Sequence, residues 1–126
     1  FVQCITRENK ALYHAAAATL SNQVVAVLSY GYEMLKDCGF DEKEAREASQ
    51  TLIRGNIENV INQGCVQALT GPVERGDVET VKKHLQVIDP AMRDIYGILA
   101  QRQLQLARQK NPQKDYAALE HLLKES

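Results

Sequence analysis

Apolar residues recur at helical spacing along nearly the whole chain, and the runs are separated by glycine, proline and aspartate. Ala11, Leu12, Ala15 to Ala18, Leu20, Val24, Val27, Leu28 and Leu35 predict one long helix over residues 7–38, with Gly39 just past its end. At 1.5 Å per residue that rod would be about 45 Å long. Its middle is apolar almost all round, which calls for cover on several sides and so for a second subunit. Asp41 and Glu44 form a capping-box pattern opening a second helix, which runs to about Gln63 and stops at Gly64. Residues 65–69 add one helical turn. Asp77 caps a short helix over 78–88 that carries Val78, Val81, Leu85 and Val87. Asp89-Pro90 starts a helix over 90–110 with Ile95, Ile98, Leu99 and Leu106 on one side. Asn111-Pro112 repeats that signal for a last helix with Tyr116, Leu119, Leu122 and Leu123 as its apolar face. No strand is expected after residue 6. The expected fold is therefore all-α: one domain, a bundle of five to six helices built around the long N-terminal helix. The opening "FVQCITRENK" reads as a strand or linker leaving something else, so the chain is expected to be a piece of a longer protein.

Composition removes several function classes. A length of 126 residues fits one domain with its own core. With 15 basic and 16 acidic residues, the charge points to neither nucleic acid nor an anionic membrane as partner. Cys4, Cys38 and Cys65 lack metal-type spacing, and their odd number argues against a disulfide framework, so a cytoplasmic setting is expected. His14, Ser21, Asn22 and Gln23 interrupt the most apolar stretch, 11–28, and a spanning helix needs about 20 mostly apolar residues, so no membrane segment is expected. The chain contains neither G-x-G-x-x-G nor a Walker A loop, so no nucleotide is expected within it. His14, His84 and His121 lack metal-ligand spacing.

Three groups of polar residues stand out. His14, Ser21 and Asn22 share a face of the long helix with Ala18 and Val25, His14 and Asn22 lying about 12 Å apart along the axis. They either satisfy backbone carbonyls and waters in a helix interface, or line a pocket as a titratable imidazole and an orienting amide. On the second helix Arg54 follows Thr51 and precedes Glu58 and Asn62, and Gly55 lies inside the helix at a cost of about 1 kcal/mol against alanine. That glycine fits close approach of another backbone or a ligand, while Arg54 and Glu58 fit a solvated ion pair. In "ALTGPVERGD" (68–77) the stretch is a connector, or Thr70, Arg75 and free backbone N–H groups near 76–79 bind a carboxylate or phosphate.

"YHAAAATLSN" (13–22), "RGNIEN" (54–59), "ALTGPVERGD" (68–77) and "HL" (84–85), in that order, resemble the C-terminal helical domain of bacterial Rossmann-like oxidoreductases, domain of unknown function 2520, over roughly residues 5–108. The resemblance implies an N-terminal dinucleotide-binding domain, absent from this chain, that would bind NADP or a related cofactor. It implies a fold like the C-terminal domains of the 6-phosphogluconate dehydrogenase and pyrroline-5-carboxylate reductase superfamily, with the long helix packed across a homodimer and a small-molecule substrate facing the nicotinamide. Related β-hydroxyacid dehydrogenases present a lysine and, four residues later, an asparagine. If Asn22 matches that asparagine, Ala18 occupies the lysine position. His14 is then the candidate acid–base residue. Ser21, Asn22, Arg54, Thr70 and Arg75 are the candidate substrate-binding residues. The alternative is a non-catalytic ligand-binding or helical interaction module on an oxidoreductase scaffold.

Overall fold

The computed structural model describes residues 4–125, and all regular structure among them is helical. The strand or linker expected at 1–10 falls partly on residues 1–3, outside the described residues. Residues 4–6 carry no regular structure, and the first helix begins at Lys10. The elements are α1 (Lys10–Ala18), a π turn (Thr19–Gln23), α2 (Val24–Asp37), α3 (Glu42–Gln63), α4 (Cys65–Ala68), α5 (Pro72–Arg75), α6 (Val78–Val87), α7 (Pro90–Lys110) and α8 (Ala117–Glu125). Two compact units divide the chain, Phe1–Ala48 and Ser49–Ser126.

In the first unit, α1, the π turn and α2 form one continuous helix, Lys10–Asp37. Gly39 ends it as expected, at φ 104, with Gly39 N donating to Lys36 O and Phe40 N to Leu35 O. The Asp41–Glu44 capping box is reciprocal: Glu44 N donates to Asp41 Oδ1 at 2.8 Å and Asp41 N to Glu44 Oε1 at 3.0 Å. No residue of α1, the π turn or α2 is buried, and Leu20 is 78% exposed. By length and composition this helix is also apolar enough to cross a membrane.

The second unit is a helical bundle. Its core is Val73 of α5, Val81 and Leu85 of α6, Ala100, Leu104 and Ala107 of α7, Tyr116, and Leu119 and Leu123 of α8. Two apolar faces read from the sequence differ here. On α7 the buried positions are Gly97, Ala100, Leu104 and Ala107, while Ile98 and Leu99 are exposed. Three of these four inner residues are small, so bulk alone misidentified that face. Val87, at the end of α6, is exposed as well. The start of the last helix also shifts. Asn111 is the C-cap of α7, and α8 is started by Asp115, whose Oδ1 accepts from Ala117 N at 2.9 Å. Asn111 stands six residues before α8, too far to cap it, and its amide nitrogen instead donates to Glu74 and Tyr116.

Large apolar side chains lie uncovered: Leu12, Leu20, Val25 and Val27 in the first unit, and Leu52, Ile57 and Ile61 on the part of α3 in the second.

Candidate functional site

The candidate residues fall on both units, and each group is described within its own.

In the first unit, His14 is exposed and its ring lies 6.1 Å from that of Tyr13. No hydrogen bond to the imidazole is made among the described residues. Ser21 and Asn22 lie inside the π turn, which the uniform spacing of the sequence did not reveal. A π turn accommodates one extra residue, so everything beyond it is rotated by about 100° relative to an unbroken helix. Val25 therefore leaves the stripe that begins at His14. Thr19 Oγ1 donates to Ala15 O at 2.9 Å and Ser21 Oγ to Ala17 O at 2.6 Å, so both hydroxyls are engaged by the helix's own carbonyls. Ser21 could donate to a substrate only by giving up that bond, while its oxygen can still accept. Among the described residues neither the Asn22 nor the Gln23 amide has such an engagement, and both are exposed on the turn.

In the second unit, Arg54 is exposed and pairs with no carboxylate among the described residues. Glu58 does not bind it but accepts from Asn62 Nδ2 at 3.3 Å. At Gly55 an added Cβ would meet nothing within 4 Å, so no group among the described residues uses the opening it leaves. Arg54 shares a helix face with Ile57 and Ile61, which are exposed too.

The stretch 68–77 is fastened at several points. Lys110 Nζ donates to Leu69 O at 2.7 Å and Gln67 O at 3.2 Å, and lies 3.6 Å from Glu74 Oε1. Asn111 Nδ2 donates to Glu74 Oε2 at 3.3 Å and to Tyr116 Oη at 2.9 Å, and Tyr116 Oη donates to Glu74 O at 2.6 Å. Gly71 and Gly76 have φ of 96 and 69, conformations that side chains disfavour. At Gly76 a Cβ would also come 3.3 Å from Lys114 Cε, against the Tyr116 ring. Between these anchors Pro72–Arg75 forms one helical turn where the sequence suggested only a loop.

The free backbone N–H groups expected near 76–79 are largely committed. Gly76 N donates to Val73 O, Asp77 N to Pro72 O and Val78 N to Gly76 O. A backbone anion cradle does not form there, because α5 closes on itself before α6 begins. Asp77 is the cap of α6, accepting from Thr80 N at 3.1 Å and Thr80 Oγ1 at 2.7 Å. These Thr80 bonds, helped by nearby Arg75, hold its carboxyl below the usual carboxylate range. Thr70 makes no hydrogen bond among the described residues. Arg75, 58% exposed, has only a 3.8 Å contact with Asp77. The stretch is thus a rigid scaffold with one hydroxyl and one guanidinium left over.

The lowered Asp77 pKa gives a prediction with a definite sign. A carboxylate favoured in the folded state stabilises above its unfolded pKa, near 3.8, and that contribution fades as pH falls through the lower folded value. Asp77→Asn should lower Tm at neutral pH, and the gap to the parent protein should close as the buffer is acidified below pH 3.8. A gap that widens with acid would show that the Asp77 charge opposes folding.

Among the described residues no three His, Cys, Asp or Glu side chains converge as a metal site would need. The sequence holds no glycine-rich phosphate loop, and no strand occurs among the described residues. A family model described as Domain of unknown function (DUF2520) matches residues 1–103. No curated protein and no solved structure matches the chain.

Proposed function

The chain belongs to the Domain of unknown function (DUF2520) family, and from that premise we propose that it is the dimerisation and substrate-pocket part of an NADP-dependent oxidoreductase. The observation that carries the dimer is the uncovered apolar helix Lys10–Asp37, without one buried residue. Along that helix Leu12, Leu20, Val25 and Val27 all stand in water in the isolated chain, whereas the centre of an obligate interface is apolar. A second copy is the natural cover. It brings an equal apolar helix, and His14, Asn22 and Gln23 find partners more readily across a protein interface than in hydrocarbon. Free, exposed thiols at Cys4, Cys38 and Cys65 suit a reducing cytoplasm.

The oxidoreductase part rests on the four motifs and their order. In this reading a separate domain holds the cofactor. His14 exchanges the proton, Asn22 and Ser21 orient the substrate, and Arg54, Thr70 and Arg75 receive its anionic or carbonyl group. Ala18 at the position of the expected lysine favours the second reading, a non-catalytic binding module. NADPH oxidation by the protein together with its dinucleotide domain, against imines and keto acids, separates them. Turnover that collapses in His14→Ala supports the enzyme. Saturable binding of the same compounds without turnover would replace it by the binding module.

Arg75→Ala and Thr70→Val test the scaffold's two spare groups. Loss of a hydrogen bond to a charged ligand costs about 1.5–3 kcal/mol, or roughly 10- to 150-fold in Kd. Arg75→Ala should weaken an anionic ligand by that factor with Tm nearly unchanged. Unaltered affinity in both variants would remove the stretch 68–77 from the site.

A further inference from the structure

Two clefts in the second unit, each of about 440 Å³, differ in how their polar groups are satisfied. The first is lined by Glu74, Asn111, Pro112, Gln113 and Lys114. Its carboxylate already has Lys110 and Asn111. The second lies among three helices: Lys82, Leu85 and Gln86 from α6, Arg93 from α7 and Leu122 from α8. Positions 82, 85 and 86 share one helix face, so a cation, an amide and an apolar side chain project together. No carboxylate is among the five lining residues.

The donors of this second cleft are largely unused. A guanidinium carries five N–H groups. Arg93 makes one hydrogen bond among the described residues, from Nη2 to Ile88 O at 3.3 Å. Its Nε is a buried side-chain polar atom without any partner. Lys82 has no carboxylate within 4.0 Å and the Gln86 amide makes no hydrogen bond, again among the described residues. Elsewhere in the unit, Arg75, Arg108, Lys110 and Lys124 each lie within 4.0 Å of an Asp or Glu oxygen, and the cations that do not, such as Arg54 and Lys83, are exposed to water, whereas Arg93 is partly buried. A half-buried guanidinium left without a counter-charge is costly, and an anion is what relieves it.

We propose that the cleft between α6, α7 and α8 binds a small organic monocarboxylate with an apolar body. Arg93 and Lys82 take the carboxylate, Gln86 adds a donor, and Leu85 and Leu122 cover the hydrocarbon. The planar guanidinium matches a carboxylate's two oxygens, and a cleft of this volume is in the range that small ligands occupy. The site goes beyond the pocket assigned above: it shares none of the residues proposed there and stands or falls independently of that function.

The test is an NMR titration of the isotope-labelled protein with hexanoate, with hexanol and inorganic phosphate as comparisons. Hexanoate should shift the amides of Lys82, Gln86, Arg93 and Leu122 saturably. Hexanol, lacking charge, and phosphate, lacking hydrocarbon, should each bind at least about tenfold more weakly, the cost of one missing charged or apolar contact. Arg93→Gln and Lys82→Gln should each weaken hexanoate by a similar factor. If Arg93→Gln fails to fold, Lys82→Gln decides, since its side chain is exposed. Absence of a saturable shift, affinity unmoved by the substitutions, or phosphate binding as tightly as hexanoate would each overturn the proposal.

Discussion

Leu20→Asp is expected to convert a dimer of about twice 14.1 kDa into a monomer of 14.1 kDa, with helix content unchanged. The expectation follows from two environments of one residue. In the single chain Leu20 is 78% exposed, so a carboxylate there touches no core, and such surface changes usually stay within about 0.5 kcal/mol. At the centre of a helix–helix interface the same carboxylate is desolvated without a partner, at a cost of about 3–5 kcal/mol. That raises the dimer Kd by at least about 100-fold. Val25→Asp should act alike, while Val87→Asp on α6, equally exposed, should leave the mass unaltered. Sedimentation velocity reads the mass, and circular dichroism reads the fold. The parent protein should also show a Tm that climbs with concentration, and Leu20→Asp a Tm that does not. A parent protein that sediments as a monomer would end the dimer reading. Co-flotation of that monomer with lipid vesicles would assign Lys10–Asp37 to a bilayer instead.

The long helix was legible because its signals are local. Alanine-rich propensity, Gly39 at positive φ and the Asp41–Glu44 box each act within a few residues, and each appears in the structure. The π turn was not legible. It changes no residue type, and a hydroxyl bonding back to a carbonyl four residues earlier is compatible with an ordinary α-helix as well. The face of α7 was misread for a different reason. Which side of a helix is inner depends on its neighbours, and those accepted Gly97, Ala100 and Ala107 where hydrophobicity alone favoured Ile98 and Leu99.

The stretch 68–77 divides along the same line. Its glycines, its proline and the Asp77 cap could be read directly, because turn chemistry is written in residue type. Its fastening could not, because Lys110, Asn111 and Tyr116 lie some 36 to 42 positions from Glu74 in sequence. Nothing in Asn111-Pro112 distinguishes an asparagine that caps a helix from one that ties two segments together. The backbone N–H groups near 76–79 looked free for the same reason: the turn Pro72–Arg75 that consumes them is too short for a periodic signal.

That fastening yields the second large effect. Tyr116 is 2% exposed, packs in the core and donates to Glu74 O at 2.6 Å. Tyr116→Ala removes ring and hydroxyl together and should cost about 3–5 kcal/mol, a large share of the 5–15 kcal/mol that holds a typical domain folded. Tyr116→Phe keeps the ring. It leaves the Glu74 carbonyl and the Asn111 amide each short of a partner, which should cost about 1–3 kcal/mol. Chemical denaturation of the three proteins should therefore order them parent, Phe, Ala. The Phe variant carries the more informative result. Among the described residues no side-chain hydrogen bond holds Thr70 or Arg75 in place, so whatever geometry they offer comes from the backbone that Glu74, Lys110 and Tyr116 fasten. If the pair binds ligand, Tyr116→Phe should weaken that binding although Tyr116 is buried and touches no solvent. If Tyr116→Phe is as stable as the parent, the hydroxyl is not an anchor, and the rigidity of the stretch must come from the glycine conformations and the packing of Val73 alone.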